Sequence, residues 1–335
     1  MKSRQIINLK PHWILIITFF IAGGFLSWLG TYIWLNSANI NIIKIQSTQN
    51  YNYINPLLAI NVQGNPLLNN QTLELEFKSI IQQAENKESI TNASIYYRDL
   101  NSSAWSSFND IAKFSPGKLL KVPIMMAYYK IAETDPSILE KKITYSGQKT
   151  IPDVDIIATN IQKKLNPGEY TVDELIQSMI VDYNNDAANL LFDNIDKKQL
   201  DEVFSDLGID FKEDKITKDF IPLKLYSLFL RVLYNATYLN REYSEKAMTL
   251  MIEAPDGPLV FAELPKDIPS ANRFGGTFID NKPFKVQAYD CGVAYYPNHP
   301  YLLCAMAEGS HLNSVESFLK EVGNKVYEET KYQYK

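Results

Sequence analysis

The stretch Ser115-Pro116-Gly117-Lys118-Leu119-Leu120-Lys121 repeats one spacing twice. A hydroxyl at Ser115 and an ammonium at Lys118 stand three residues apart, one helical turn, the separation at which a lysine serves a serine nucleophile as base. Lys118 and Lys121 repeat the interval with an amine in place of the alcohol. Two further polar groups follow: Tyr183-Asn184-Asn185, and Arg273-Phe274-Gly275-Gly276-Thr277. The Tyr183 phenol suits a proton relay, and the planar fork of Arg273 suits a carboxylate. Local structure explains several of these residues without chemistry. Ser115 before Pro116 reads as a helix N-cap with proline at the first helical position. Asp186 reads as the N-cap of a helix through Ala187-Ala188-Asn189-Leu190-Leu191. Gly275 and Gly276 fit a strand bordering a cleft, or a plain bulge.

The chain contains, in order, two strands, a Ser-x-x-Lys-like helix, an all-helical block, the Tyr183 triplet before Ala187-Ala188-Asn189-Leu190-Leu191, a Lys-Thr-Gly-like strand and a closing helix. This order resembles the class A β-lactamase and penicillin-binding-protein family over residues 72–335. The resemblance implies an α/β (α+β) fold of β-lactamase/transpeptidase type: an antiparallel sheet flanked by helices plus an all-helical subdomain. It also implies site roles. Lys118, Lys121, Tyr183 and Asn185 take the catalytic positions, with Ser115 as the alternative nucleophile. Arg273, Phe274, Gly275 and Thr277 take the substrate-binding strand. Each motif is altered: Tyr183 replaces the usual serine, as in the Y-x-N variant, while Asn185 keeps the amide that would bind a substrate's acyl side chain. Arg273 replaces the family lysine, and Phe274 has no hydroxyl to donate.

Two registers compete for the first motif. In one, Ser115-Pro116-Gly117-Lys118 is the Ser-x-x-Lys itself, and the chain is a serine hydrolase of β-lactamase or D,D-peptidase type. In the other, Lys121 is the family lysine and Lys118 occupies the nucleophile's place. Relatives continue K-x-P, as Lys121-Val122-Pro123 does, and carry an aromatic four residues before the nucleophile, as Phe114 precedes Lys118. Two landmarks favour the second register. An amine nucleophile at Lys118 would form an amide that does not turn over. The deacylating glutamate of the class A enzymes is missing from the stretch between Gly208 and Ile221, where Glu213 and Asp214 read as solvated loop carboxylates. The expectation is a catalytically impaired homologue that binds a β-lactam, a cell-wall peptide or a protein. An interaction module whose partner surface lies outside the groove is the third reading.

Elements to position these residues are legible in the periodicity. Leu73, Phe77, Ile80 and Ile81 fall at helical spacing, and Ala93, Ile95 and Tyr97 alternate with polar residues as in a half-buried strand. A second strand spans Ala104–Phe108 after the turn Asn101-Ser102-Ser103. Helices are expected over Pro116–Ala132, over Val172–Val181 behind the capping box Thr171-x-x-Glu174, over Ala187–Asn194 and over Ile221–Tyr238. Strands return at Lys285–Tyr296 and Tyr301–Glu308, before a helix over Asn313–Tyr332. Strands at both ends enclosing a block of helices predict one antiparallel sheet assembled from distant parts of the chain.

Composition bounds the setting. Of 335 residues 46% are apolar and 21% charged, which is globular. Residues 13–35 carry no charge over a length that matches the roughly 20 residues of a membrane span. Trp13, Trp28, Tyr32 and Trp34 lie near the ends of that run. Lys2, Arg4 and Lys10 precede it without an acid, so residues 1–12 read as a cytoplasmic tail, 13–35 as an uncleaved anchor, 36–71 as a stalk and 72–335 as the exterior domain of a single-pass protein of a bacterial cell membrane. Without the three cations the formal charge of −5 becomes −8, which argues against a nucleic-acid partner. Cys291 and Cys304 flank a turn and read as two small buried hydrophobes rather than a bridge. His12, His299 and His311 make no ligand spacing, so neither a metal site nor a cofactor is expected.

Overall fold

The computed structural model describes residues 51–56, 71–87, 89–102, 104–114, 117–147, 156–157, 161–210, 221–255, 257, 259–279 and 284–334, together with Phe19, Gly23, Gly24 and Ser27. The chain divides into two compact units, Met1–Gln46 with Ala59–Pro66, and Ser47–Leu58 with Leu67–Lys335. In the smaller unit the four described residues are helical and exposed. The remainder of the 13–35 segment read as a membrane anchor lies outside the described residues. Among the described residues no helix is long and apolar enough to cross a membrane.

The first described helix of the larger unit is α1 (Gln71–Asn86), which buries Leu73, Phe77, Ile80, Ile81 and Ala84 along one stripe. Strands β1 (Asn92–Asp99) and β2 (Trp105–Phe108) form a hairpin. The chain returns to the same sheet only with β7 (Ser270–Phe278), β8 (Val286–Ala294) and β9 (Tyr301–Gly309). The resulting five-stranded sheet runs β2-β1-β9-β8-β7, with every neighbouring pair antiparallel. Its strands therefore come from both ends of the unit, as the periodicity predicts.

Side chains alternate between the two faces. Tyr96, Ala271, Tyr289, Cys291, Val293, Leu302, Cys304 and Met306 join the core under the helical block. Ile95, Tyr97, Phe274, Ala288, Leu303 and Ala305 join a second core with α1 and with helix α8 (Leu312–Gln333). This is the period-2 arrangement of a sheet covered on both sides. Cys291 and Cys304 are directly opposite in the β8–β9 register and are joined as a disulfide. That corrects the expectation of two free thiols: directly opposite positions of an antiparallel ladder bring two Cβ atoms within bridging reach, which a count of cysteines alone does not reveal.

The middle of the chain supplies the helical block. A two-residue strand β3 (Lys113–Phe114) pairs with β6 (Ile221–Pro222), and β4 (Lys142–Tyr145) pairs with β5 (Gly168–Thr171). A 3₁₀ turn, Gly117–Leu120, leads into helix α2 (Lys121–Ala132), whose residues are buried on nearly every side. Around α2 pack α3 (Val172–Ile180), α4 (Asn185–Asn194), α5 (Lys197–Ser205) and α7 (Arg241–Glu253), while α6 (Leu223–Tyr234) lies on β9. The helix expected from Pro116 thus begins as a tighter turn and becomes α-helical at Lys121. Residues 51–56, within the span read as a stalk, bond to this unit. Glu245 accepts from the Asn52 and Tyr53 amides, Asn55 N–H donates to the Tyr234 carbonyl, and the Tyr295 hydroxyl donates to the Tyr53 carbonyl.

Candidate functional site

The Tyr183 loop joins α3 to α4. Tyr183 has φ +54, in the left-handed region that costs a non-glycine residue on the order of 1–2 kcal/mol. The carbonyls of Tyr183 and Asn184 both accept from Lys121 Nζ, at 2.8 Å and 3.4 Å. Lys121 is 3% exposed, so these bonds hold its ammonium inside the domain. The N-cap of α4 is Asn184, whose Oδ1 accepts from the Ala187 amide while its Nδ2 donates to the Lys163 carbonyl. This corrects the N-cap reading of Asp186, which instead accepts from the Tyr145 hydroxyl at 2.8 Å. Both residues are good caps by type, and helix initiation two residues earlier, at Asn185 instead of Ala187, decides between them. Asn185 is buried as the first residue of α4.

The Tyr183 ring packs against residues of the edge strand β7. It lies 4.9 Å from the Phe274 ring and 4.7 Å from the Arg273 guanidinium carbon, with Lys121 Nζ 6.0 Å from its centroid. Two cations thus share one aromatic face system. The Tyr183 hydroxyl donates to the Pro255 carbonyl at 3.1 Å. Arg273 is 1% exposed; its Nη2 donates to the Ile180 carbonyl, while Nε and Nη1 have no hydrogen-bond partner among the described residues. Burial lowers the pKa of its guanidinium, with Tyr183 and Tyr226 acting in the opposite direction.

The backbone of Lys118 is engaged by a residue that the motif analysis does not single out. The Lys118 N–H donates to the hydroxyl of Tyr289 on β8 at 2.7 Å. Tyr289 is 1% exposed and stands directly opposite Gly275 in the strand register. A Cβ at Gly275 would lie 2.8 Å from the Tyr289 hydroxyl, and one at Gly117 would collide with it. Gly117 also has φ +47, so glycine is required there on two counts. The only sequence signal for Tyr289 is a tyrosine facing a glycine across paired strands, which is visible once the register is known.

On the outer side of β7 the Gly276 carbonyl accepts from the Ile156 amide at 3.1 Å, and a Cβ at Gly276 would meet Ile157 at 2.7 Å. The Thr277 hydroxyl lies 3.5 Å from the Phe278 carbonyl. Lys121, Tyr183, Arg273 and Phe274 therefore meet between α2, the Tyr183 loop and β7, while the Lys118 backbone and Gly275 both face the Tyr289 hydroxyl. Ser115, the alternative nucleophile, and Glu213 and Asp214 lie outside the described residues. Among the described residues no group of three His, Cys, Asp or Glu side chains is placed to hold a metal ion.

Comparison with known proteins agrees with this architecture. The model of the beta-lactamase enzyme family matches residues 76–330, and the chain belongs to that family. Among solved structures, PBP-A is similar at 18% identity and a TM-score of 0.63, over 84% of this chain and 100% of its own. A class A beta-lactamase from Mycobacterium abscessus is similar at 17% identity and a TM-score of 0.63, over 77% of this chain and 99% of its own. A beta-lactamase from Sphaerobacter thermophilus is similar at 15% identity and a TM-score of 0.62, over 74% and 93%. At these identities the likeness is one of fold. No curated protein matches the chain.

Proposed function

We propose that the larger unit is a member of this family without acyl-transfer activity, one that binds a carboxylate-bearing ligand such as a cell-wall peptide and does not cleave it. In this reading residues 13–35 tether it to the outer face of a bacterial membrane. The observation that carries the reading is the reach of Lys121 to the Tyr183 and Asn184 carbonyls. It supports Lys121 as the lysine of the Ser-x-x-Lys motif, which leaves Lys118, an amine three residues earlier, in the nucleophile's place. An amine acylated there would stay acylated, because an amide is not released by water on a catalytic timescale. The ligand class follows from charge. Lys121 and Arg273 both lie against the Tyr183 ring, and among the described residues two guanidinium donors of Arg273 are buried without partners. Leaving such donors unsatisfied costs roughly 1–3 kcal/mol each, which an anion accepting from them would recover. The Cys291–Cys304 disulfide supports an oxidising compartment outside the cytoplasm.

The test uses the full chain in detergent. Fluorescent penicillin followed by mass spectrometry is expected to leave it unmodified; an ester on Ser115 would overturn the reading and restore the serine hydrolase. Calorimetric titration with an N-acylated D-alanyl-D-alanine peptide is expected to show binding that falls at least 10-fold for its C-terminal amide and for Arg273→Met. Equal affinity for acid and amide would remove the carboxylate from the proposal.

A further inference from the structure

We infer that Tyr289 is the residue that denies acyl donors this groove: its hydroxyl occupies the place in which the carbonyl oxygen of a reacting acyl group would lie. This rests on the reading that position 118 is the nucleophile's position. An acyl group on that residue carries its oxygen close to the residue's own backbone N–H, and donors of this kind stabilise the oxyanion as it forms. Here that N–H already donates to Tyr289 at 2.7 Å. The phenol is no passing contact. It is buried in the core beneath the helical block, and its hydroxyl is lodged between Gly117 and Gly275, both of which must be glycine to admit it. Gly117 belongs to the turn that precedes α2 and Gly275 to β7, so the two walls of the pocket close on one oxygen atom.

The consequence is a second block, independent of the missing alcohol. Restoring a serine at position 118 would still leave its own N–H engaged by Tyr289 and the phenol oxygen in the place of the carbonyl oxygen. Exchanging Tyr289 for phenylalanine removes one oxygen atom, keeps the ring in the core and frees the Lys118 N–H. In a variant carrying both changes, the serine oxygen would bond to the lactam carbonyl carbon as the ring C–N bond breaks. The hydroxyl proton would pass to the ring nitrogen, so no other reactant is needed.

Three full-length proteins test this with fluorescent penicillin: Lys118→Ser, Lys118→Ser with Tyr289→Phe, and Lys118→Ser with Tyr289→Leu as a wider opening. Loss of a single oxyanion donor lowers rates by about 10²–10³. At least one double variant is therefore expected to be acylated on the introduced serine about 100-fold or more faster than Lys118→Ser alone. Equal rates for the single and double variants would overturn the inference, because Tyr289 would then exclude nothing. Absence of label on both double variants, with melting within a few degrees of Lys118→Ser, would overturn it as well. Neither result bears on the proposed function, which fails only if the unaltered chain is acylated or does not distinguish acid from amide.

Discussion

At the scale of single residues, the site is a set of close approaches that constrain one another. Gly117 has φ +47 and faces the Tyr289 hydroxyl, so Gly117→Ala meets two penalties. Left-handed backbone costs alanine on the order of 1–2 kcal/mol, and the collision with the phenol adds to it. The expected loss of stability in urea unfolding is about 2–4 kcal/mol. The two penalties separate in part in a double-mutant cycle: with Tyr289→Phe as background the collision with the hydroxyl is removed, while the ring carbon 2.9 Å away and the backbone strain stay. A coupling of about 0.5–3 kcal/mol between the two positions is expected, and additivity would show that the hydroxyl does not sit where the structure places it. Lys118, Lys121 and Arg273 are legible in the sequence because their charge and order mark them. Tyr289 is not legible, because it is one of 21 tyrosines and its role arises only where β8 is set against β7.

At the scale of elements, helix starts decide which side chain meets which. The Thr171 capping box is present as read, with Thr171 Oγ1 accepting from the Glu174 amide and the Glu174 carboxylate accepting from the Thr171 amide. The start of α4 is different, because Asn184 and Asp186 are both capping residues and only the helix phase selects Asn184. Asn184→Ala removes the cap and the bond to the Lys163 carbonyl, from a loop whose carbonyls hold Lys121. Its expected cost is about 1–2 kcal/mol, measured by thermal unfolding, against at most about half that for Asp186→Ala, which gives up one hydrogen bond from Tyr145. The reverse order would return the cap to Asp186. Helix α7 escapes the periodicity reading although Ser244, Ala247, Met248 and Met251 are buried at helical spacing, because Lys, Glu and Thr between them dilute the stripe.

At the scale of the whole molecule, the sheet was legible because strand-like alternation appears only near the two ends of the domain, and an antiparallel sheet is the simplest way to use both. What alternation does not show is the polar content of the interior, and Asp290 is the clearest instance. It lies on β8 opposite Phe274, is fully buried, and accepts from Asn272 Nδ2 at 2.9 Å and from the Val260 amide at 3.0 Å. Burial pushes its pKa up to about 7, against the lowering effect of those hydrogen bonds. The folded chain therefore keeps this proton over a range in which the unfolded chain has lost it. With more protons on the folded state, stability falls as pH rises from about 4 to about 7 and is flat above, the reverse of a salt-bridged carboxylate. The full span corresponds to about 4 kcal/mol at most. Asp290→Asn cannot ionise and serves as the reference in which every other titrating group is retained. The stability of the unaltered chain minus that of Asp290→Asn, from urea midpoints at pH 5 and pH 8, is expected to be smaller at pH 8. A difference that does not change with pH would mean that Asp290 titrates alike in the folded and unfolded chain, and that its hydrogen bonds to Asn272 and Val260 offset the whole cost of burying its charge.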